Sequence, residues 1–147
     1  MLREWSTAPV LDIRDFLAGL IFNMLIGNAD AHGKNYSLLY GQSERRVAPF
    51  YDLVCTLAWP ELSTTPAMKI GQCDSLDAIA PAHWHEMTQE ARLGWPLVRE
   101  RIVDLCRAVL GELPKPDLRQ ATGNDAMFER VAGIIEKRTA SMLQSLS

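Results

Sequence analysis

The sequence predicts a mainly α-helical domain carrying one small β-hairpin. Three observations point there. Apolar residues recur at three- and four-residue spacing from Ile13 to Leu25, and helical patterns return in three segments beyond position 80. Two short β-prone runs, Tyr36 to Tyr40 and Val47 to Tyr51, flank the polar, glycine-containing stretch Gly41-Gln42-Ser43-Glu44-Arg45-Arg46. The chain has 147 residues, 48% of them hydrophobic, which suits a single domain over 1–147. A domain of that size buries roughly 68–70% of the surface its unfolded form exposes.

Each element follows in order. Ile13, Phe16, Leu17, Leu20, Ile21, Met24 and Leu25 share one helical face, with Asp12 placed to cap the start and Gly27 to end the helix. Such a helix is a rigid post that fixes where the polar loop Asn28 to Asn35 points. After the hairpin, Leu53, Val54, Leu57 and Ala58 indicate a short helix stopped before Pro60. Ser63 to Ile70 reads as extended, confined to a sheet edge by Pro66. Helices are then expected from about Pro81 to Leu93, from Pro96 to Leu110 and from about Asp125 to Leu146, punctuated by Gly94, Gly111 and Pro114-Lys115-Pro116. Pro81 and Pro96 suit a first helical position, where a missing amide hydrogen costs nothing. On the last helix Glu129, Arg130, Glu136, Lys137 and Arg138 are expected on the solvated face, opposite Phe128, Val131, Ile135 and Met142.

Composition excludes several classes of function. Lys plus Arg number 15 against 18 acids, a net charge of −3, so the chain has no broad electrostatic footprint for nucleic acid or an anionic membrane. Direct nucleic-acid binding is not expected, and no basic recognition helix stands out. Cys55, Cys73 and Cys106 are odd in number and widely spaced, which indicates neither a disulfide framework nor a structural zinc site. A cytoplasmic location fits. The N-terminal Met-Leu-Arg-Glu-Trp lacks the order of a signal peptide, and the apolar run Phe16 to Ile26 is too short to span a bilayer. Cys55 and Cys106 sit in apolar patterns and read as small hydrophobes. Trp5, Trp59, Trp84 and Trp95 read as core or interface anchors. His83 and His85, two residues apart on a helix, point about 200° apart and do not make a zinc pair.

The polar loop carries the chemistry. Gly27 to Asn35 reads Gly-Asn-Ala-Asp-Ala-His-Gly-Lys-Asn, and the five-residue step from Asp30 to Asn35 separates a proton-accepting carboxylate from a metal-holding amide in kinase catalytic loops. A second acid, Asp52, follows the hairpin in Ala48-Pro49-Phe50-Tyr51-Asp52. Transfer of a γ-phosphoryl group needs a carboxylate beside the attacking hydroxyl and hard oxygen ligands that hold magnesium (Mg) against the phosphates of ATP. Asp30 would take the hydroxyl proton or orient the nucleophile, and Asn35 and Asp52 would hold the metal. His32 and Lys34 would steady phosphate charge, or His32 would shape the loop by hydrogen bonding. The plain alternative is a polar turn that ends a helix, built from ordinary turn residues. A hydrolase holding a metal at Asp30, His32 and Asp52 is another, although it leaves Asn35 without a role.

Leu25-Ile-Gly-Asn-Ala-Asp-Ala-His-Gly-Lys-Asn-Tyr-Ser37 and Ala48-Pro-Phe-Tyr-Asp-Leu53 closely resemble the C-terminal lobe of the HipA-type serine/threonine kinases, toxins of bacterial toxin-antitoxin pairs. Ala67-Met-Lys-Ile-Gly71 and the His83-centred helix extend the resemblance over nearly the whole chain. It implies a kinase-like C-terminal, large lobe. It also implies Asp30 as the catalytic acid-base, Asn35 and Asp52 as magnesium ligands, phosphorylation of a protein serine or threonine, and a DNA-binding antitoxin as partner. Aminoacyl-tRNA synthetases are the kind of target the resemblance brings with it.

A complete kinase also carries a phosphate-covering glycine-rich loop and a strand lysine that pairs the phosphates. This chain has no Gly-x-Gly-x-x-Gly, its lysines are Lys34, Lys69, Lys115 and Lys137, and twelve residues precede Ile13. The expectation is therefore half an enzyme without its nucleotide-binding N-terminal lobe, inactive or weakly active alone. Positioning of reactants contributes roughly 7–11 kcal/mol toward a barrier, and much of it would be lost. A separate N-terminal lobe is an expected partner, and a bare docking surface would favour self-association. The rival expectation is a noncatalytic kinase remnant acting as an interaction or regulatory module.

Overall fold

A computed structural model describes residues 2–115 and 125–147. The element order is α1 (Leu2–Trp5), α2 (Pro9–Ile26), a 3₁₀ turn (Gly33–Asn35), β1 (Leu38–Tyr40), β2 (Arg45–Val47), two further 3₁₀ turns (Thr56–Ala58 and Leu76–Ala78), α3 (Pro81–Ala91), α4 (Trp95–Glu112) and α5 (Asp125–Ser145). The mainly helical expectation holds, with a single antiparallel hairpin among the described residues, pairing Leu38 with Val47 and Tyr40 with Arg45.

Helix α2 runs through the middle. Its Leu17, Leu20, Ile21, Met24 and Leu25 are buried against Ile70, Leu76, Trp84 of α3, Val98, Ile102 and Cys106 of α4, and Leu146. Trp84 is thus fully buried and Trp95 packs partly buried against the same core, whereas Trp59 remains exposed. Gly19 lies where the Phe50 ring presses on α2, leaving no room for a Cβ. Phe50 in turn meets Tyr36 edge-on at 6.1 Å between ring centroids. This aromatic contact fixes the segment leading to Asp52 against the helix leading to Asp30.

Several local expectations are corrected. Asp12 does not cap α2. The helix starts at Pro9, a proline in the first turn that itself signals a start, and Asp12 lies buried one turn in. There it accepts bonds from Ser6 Oγ at 2.5 Å and Arg46 Nε at 2.9 Å. Burial pushes the Asp12 carboxyl up, but those bonds, the Val47 amide and the Arg46 charge outweigh it and hold the carboxyl below its ordinary range. The second strand is Arg45–Val47 instead of Val47 to Tyr51, because Pro49 has no amide hydrogen to give to a ladder and Phe50 turns to pack on α2. Leu53 and Val54 are exposed, and the helix expected there is only the turn Thr56–Ala58.

Ser63 to Ile70 forms no strand among the described residues beyond one bridge from Ile70 to Cys73. Instead Ala67 donates its amide to the Ala29 carbonyl at 2.8 Å, so the segment braces the polar loop. Pro81 takes the first position of α3, while α4 starts one residue before Pro96 and runs through Gly111. The short α1 was not anticipated. Pro116 lies outside the described residues.

Arg138 departs from the expected solvated face. Its side chain is 15% exposed, in contrast to exposed Glu129, Arg130, Glu136 and Lys137. The guanidinium reaches the carbonyls of Met24 and Leu76 and the carboxylate of Asp77, which ties α5 to the end of α2. Cys55, Cys73 and Cys106 are all buried free thiols. No helix among the described residues is long and apolar enough to cross a membrane.

Candidate active site

The loop is placed by how α2 ends. Gly27 adopts φ 76°, a left-handed conformation favourable only to glycine, and Asn28 donates its amide to the Asn23 carbonyl at 2.9 Å. Thr56 then pins the exit. Its Oγ1 accepts the Ala29 amide at 2.8 Å and donates to the Gly27 carbonyl at 3.1 Å. With Ala67 bonded on the other side, Ala29 is held from two directions before the chain reaches Asp30.

At the far end of the loop Asn35 and Asp52 meet. The Asn35 Nδ2 donates to Asp52 Oδ2 at 2.6 Å, although 17 positions separate them. Asn35 is buried, and its Oδ1 accepts the His32 amide at 3.0 Å while its own amide returns to the His32 carbonyl at 3.0 Å. The side chain is thereby locked by the 3₁₀ turn that contains it. Asp52 sits at φ 59°, a left-handed conformation uncommon outside glycine and one that its surroundings must hold. Tyr51, immediately before it, donates its hydroxyl to the Lys34 carbonyl at 2.7 Å and lies 2.9 Å from Ser37 Oγ.

Asn28, which sequence reasoning passed over, joins the two halves. Its Nδ2 reaches Asn23 Oδ1 at 2.8 Å and the Asp52 carbonyl at 3.1 Å, and its Oδ1 accepts the Asp30 amide at 3.1 Å. The available signal was Asn23, an amide within the apolar helix, because a polar side chain there needs a buried partner.

Of the expected site residues, Asn35 and Asp52 are in direct contact, and Asp30 is linked to Asp52 through Asn28. The Asp30 residue is exposed, and its carboxylate accepts no bond among the described residues. His32 reaches the site through its backbone, and its ring Nδ1 is buried without a partner. Lys34 is exposed and forms no ion pair among the described residues. Among the described residues neither the His32 ring nor the Lys34 ammonium hydrogen-bonds to the side chain of Asn35 or Asp52. An apolar cavity of about 500 Å³ borders Gly33, lined by Phe16, Tyr36, Met68 and Met87 among others, but none of Asp30, Asn35 or Asp52 lines it.

The donor set fits a hard divalent cation. Among the described residues Asp52 uses Oδ2 on Asn35 and its Oδ1 takes no hydrogen bond, and the Asn35 amide oxygen has a second lone pair beyond the one facing His32. Carboxylate and amide oxygens are the ligands magnesium prefers. Among the described residues no three His, Cys, Asp or Glu side chains gather in a metal-holding group, so the hydrolase alternative at Asp30, His32 and Asp52 lacks its ligand set.

Residues 1–113 match the family described as the HipA-like C-terminal domain. The chain belongs to that family. It is 45% identical over 105 residues to the putative kinase Y4mE of Sinorhizobium fredii, covering 71% of this chain and 25% of that protein. It is 44% identical over 62 residues to the serine/threonine-protein kinase toxin HipA of Shewanella oneidensis, covering 42% of this chain and 14% of that one. A solved complex of the Shewanella oneidensis HipA with HipB and operator DNA contains a chain that superposes with a TM-score of 0.80 at 26% identity, covering 94% of this chain and 33% of that chain. The HipA-like chain described here thus spans about a quarter or less of the length of these curated relatives. Its fold is that of the corresponding part of HipA, and α5 lies beyond the matched family residues.

Proposed function

We propose that this chain is the C-terminal catalytic lobe of an ATP-dependent protein serine/threonine kinase of a toxin-antitoxin system. The single observation that carries the reading is the 2.6 Å bond between Asn35 and Asp52 at the end of the loop that bears Asp30. In this reading Asp30 accepts the proton of the substrate hydroxyl, and its exposure leaves that carboxylate open to an incoming protein side chain. Asn35 and Asp52 hold magnesium, which when bound neutralises charge on the phosphates. In this reading the exposed Lys34 steadies phosphate charge when ATP binds, while His32 shapes the turn.

The substrate is a protein serine or threonine, and the partners are an antitoxin and an N-terminal nucleotide-binding lobe. The family membership and the HipA-HipB complex of the structural neighbour support the antitoxin. The sequence of this chain has no glycine-rich phosphate loop, so the lobe depends on residues outside it to cover ATP. Phosphate transfer from labelled ATP, with and without an added N-terminal lobe from a relative, tests the reading. Transfer is expected only with both lobes, and robust turnover by this chain alone would contradict the division of labour. Isothermal titration with magnesium and ATP separates a residual nucleotide site from a noncatalytic remnant. Magnesium-dependent binding that disappears in Asp52→Asn supports the first.

A further inference from the structure

We propose that Asn28 is a positioning residue that holds Asp52 in its left-handed backbone conformation and so aims the Asp52 carboxylate at Asn35. What that geometry serves rests on the phosphoryl-transfer reading; the positioning itself does not.

The argument begins with the strain. A non-glycine residue at φ 59° persists only where neighbouring groups determine its backbone. Among the described residues the Asp52 carbonyl has one side-chain donor, Asn28 Nδ2 at 3.1 Å. Asn28 is 2% exposed, so its amide donor would be left unpaired if the bond were not made, although Asp52 itself is an exposed residue. The same amide is oriented from behind by Asn23 Oδ1 at 2.8 Å, and Asn23 is anchored by its own Nδ2 to the Gly19 carbonyl of α2 at 3.0 Å. One planar group therefore ties three points together: the helix, the Asp52 carbonyl and, through its oxygen, the Asp30 amide at 3.1 Å. An amide is the only side chain of this length with both donors and an acceptor, which an isosteric aspartate cannot supply.

Supporting groups behind metal-binding side chains carry part of the affinity, and their loss typically weakens binding about 10–100-fold. Asn28 bonds neither the Asp52 carboxylate nor the Asn35 side-chain amide. It acts through the backbone of one and the loop of the other.

Nuclear magnetic resonance of the whole chain tests the proposal with Asn28→Asp, which keeps size and the acceptor for Asp30 but loses both donors, and with Asn28→Ala. The core variant Ile102→Val serves as a folding control away from the loop. The readouts are the amide-to-α-proton coupling and carbon shifts of Asp52, the Asn35 side-chain amide signals, and titration with Mn²⁺. Both Asn28 variants are expected to lose the left-handed signature of Asp52 and shift the Asn35 amide, with the Mn²⁺ midpoint rising about 10-fold or more. Ile102→Val should change neither. An unaltered Asp52 signature in both Asn28 variants overturns the proposal. Absence of Mn²⁺ binding in the unsubstituted chain counts against the metal reading alone, because the Asp52 signature still decides the positioning. Should both variants fail to fold, exchange of the Asn28 side-chain amide protons in the unsubstituted chain decides instead: slow exchange supports the proposal, and exchange at the solvent rate overturns it.

Discussion

Arg138 and Met24 are 114 positions apart, yet the Arg138 guanidinium donates to the Met24 carbonyl through Nη2 at 2.8 Å and Nε at 3.2 Å. Met24 lies in the last turn of α2, where its carbonyl takes only a long 3.4 Å bond from the Gly27 cap amide, and a cation there also meets the negative end of the helix dipole. Burial pulls the Arg138 guanidinium below its usual range, and the charge of Asp77 and its hydrogen bond work the other way. The post that carries the candidate catalytic loop is thus secured by a helix lying outside the matched family residues.

Replacing Arg138 with alanine leaves the Met24 and Leu76 carbonyls without that donor. The expected loss is about 1–3 kcal/mol of stability, read as a lower denaturant midpoint with an unchanged slope. Arg138→Lys should restore only part of it, because one ammonium cannot span the same fork of acceptors. Full stability in Arg138→Ala would show that the contact is incidental.

Acid should weaken the start of α2. The Asp12 carboxyl is held below its ordinary value of 3.8 in the folded protein, so its contribution to stability is fully present above that value. It is lost as pH falls through the still lower folded pKa. Denaturant melts stepped downward from about pH 5 should show a declining midpoint, with a shallower decline in Asp12→Asn. Arg46→Ala, which strips the buried carboxylate of its partly exposed cation, should cost about 1–3 kcal/mol near neutral pH.

Asp30 and Asp52 should fail differently. With an N-terminal lobe supplied, Asp30→Asn is expected to lower phosphate transfer about 10²–10⁴-fold while leaving magnesium-dependent ATP binding in place. Asp52→Asn should abolish the metal-dependent part of binding as well. Equal binding loss in both variants would argue against separate roles for the two acids.

The thiols should be inert until the chain unfolds. Burial pushes the Cys106 thiol up to about 11 and raises Cys55 as well, and all three cysteines are buried. Iodoacetamide at mild alkaline pH should label none of them in native protein and all three in denaturant, as counted by mass spectrometry. Rapid native labelling of Cys106 would mean that α4 separates from the core.

Much of the helical frame was legible because its signals are local. The periodicity of Ile13 to Leu25 marked α2, Gly27 marked its end, and Pro81 marked α3. The interval from Asp30 to Asn35 was legible for the same reason. Errors arose where a residue's partner lies elsewhere in the fold. Asp12 looked like a cap because caps are commonly Asp, and only the hairpin brings Arg46 to it. Ser63 to Ile70 looked extended, whereas its Ala67 amide went to Ala29 in the polar loop.

By itself the sequence determined a helical domain, the loop with its Asp30 and Asn35, and the arrival of Asp52 after a hairpin. Folding alone decided that Asn35 grips Asp52, that Asn28 ties Asp52 to the Asp30 loop, and that Arg138 turns inward to hold Met24. The physical reason is reach. Helical periodicity and turn preference act over a few neighbouring residues, whereas a buried hydrogen-bonding group takes whichever partner the packed chain delivers once water is gone.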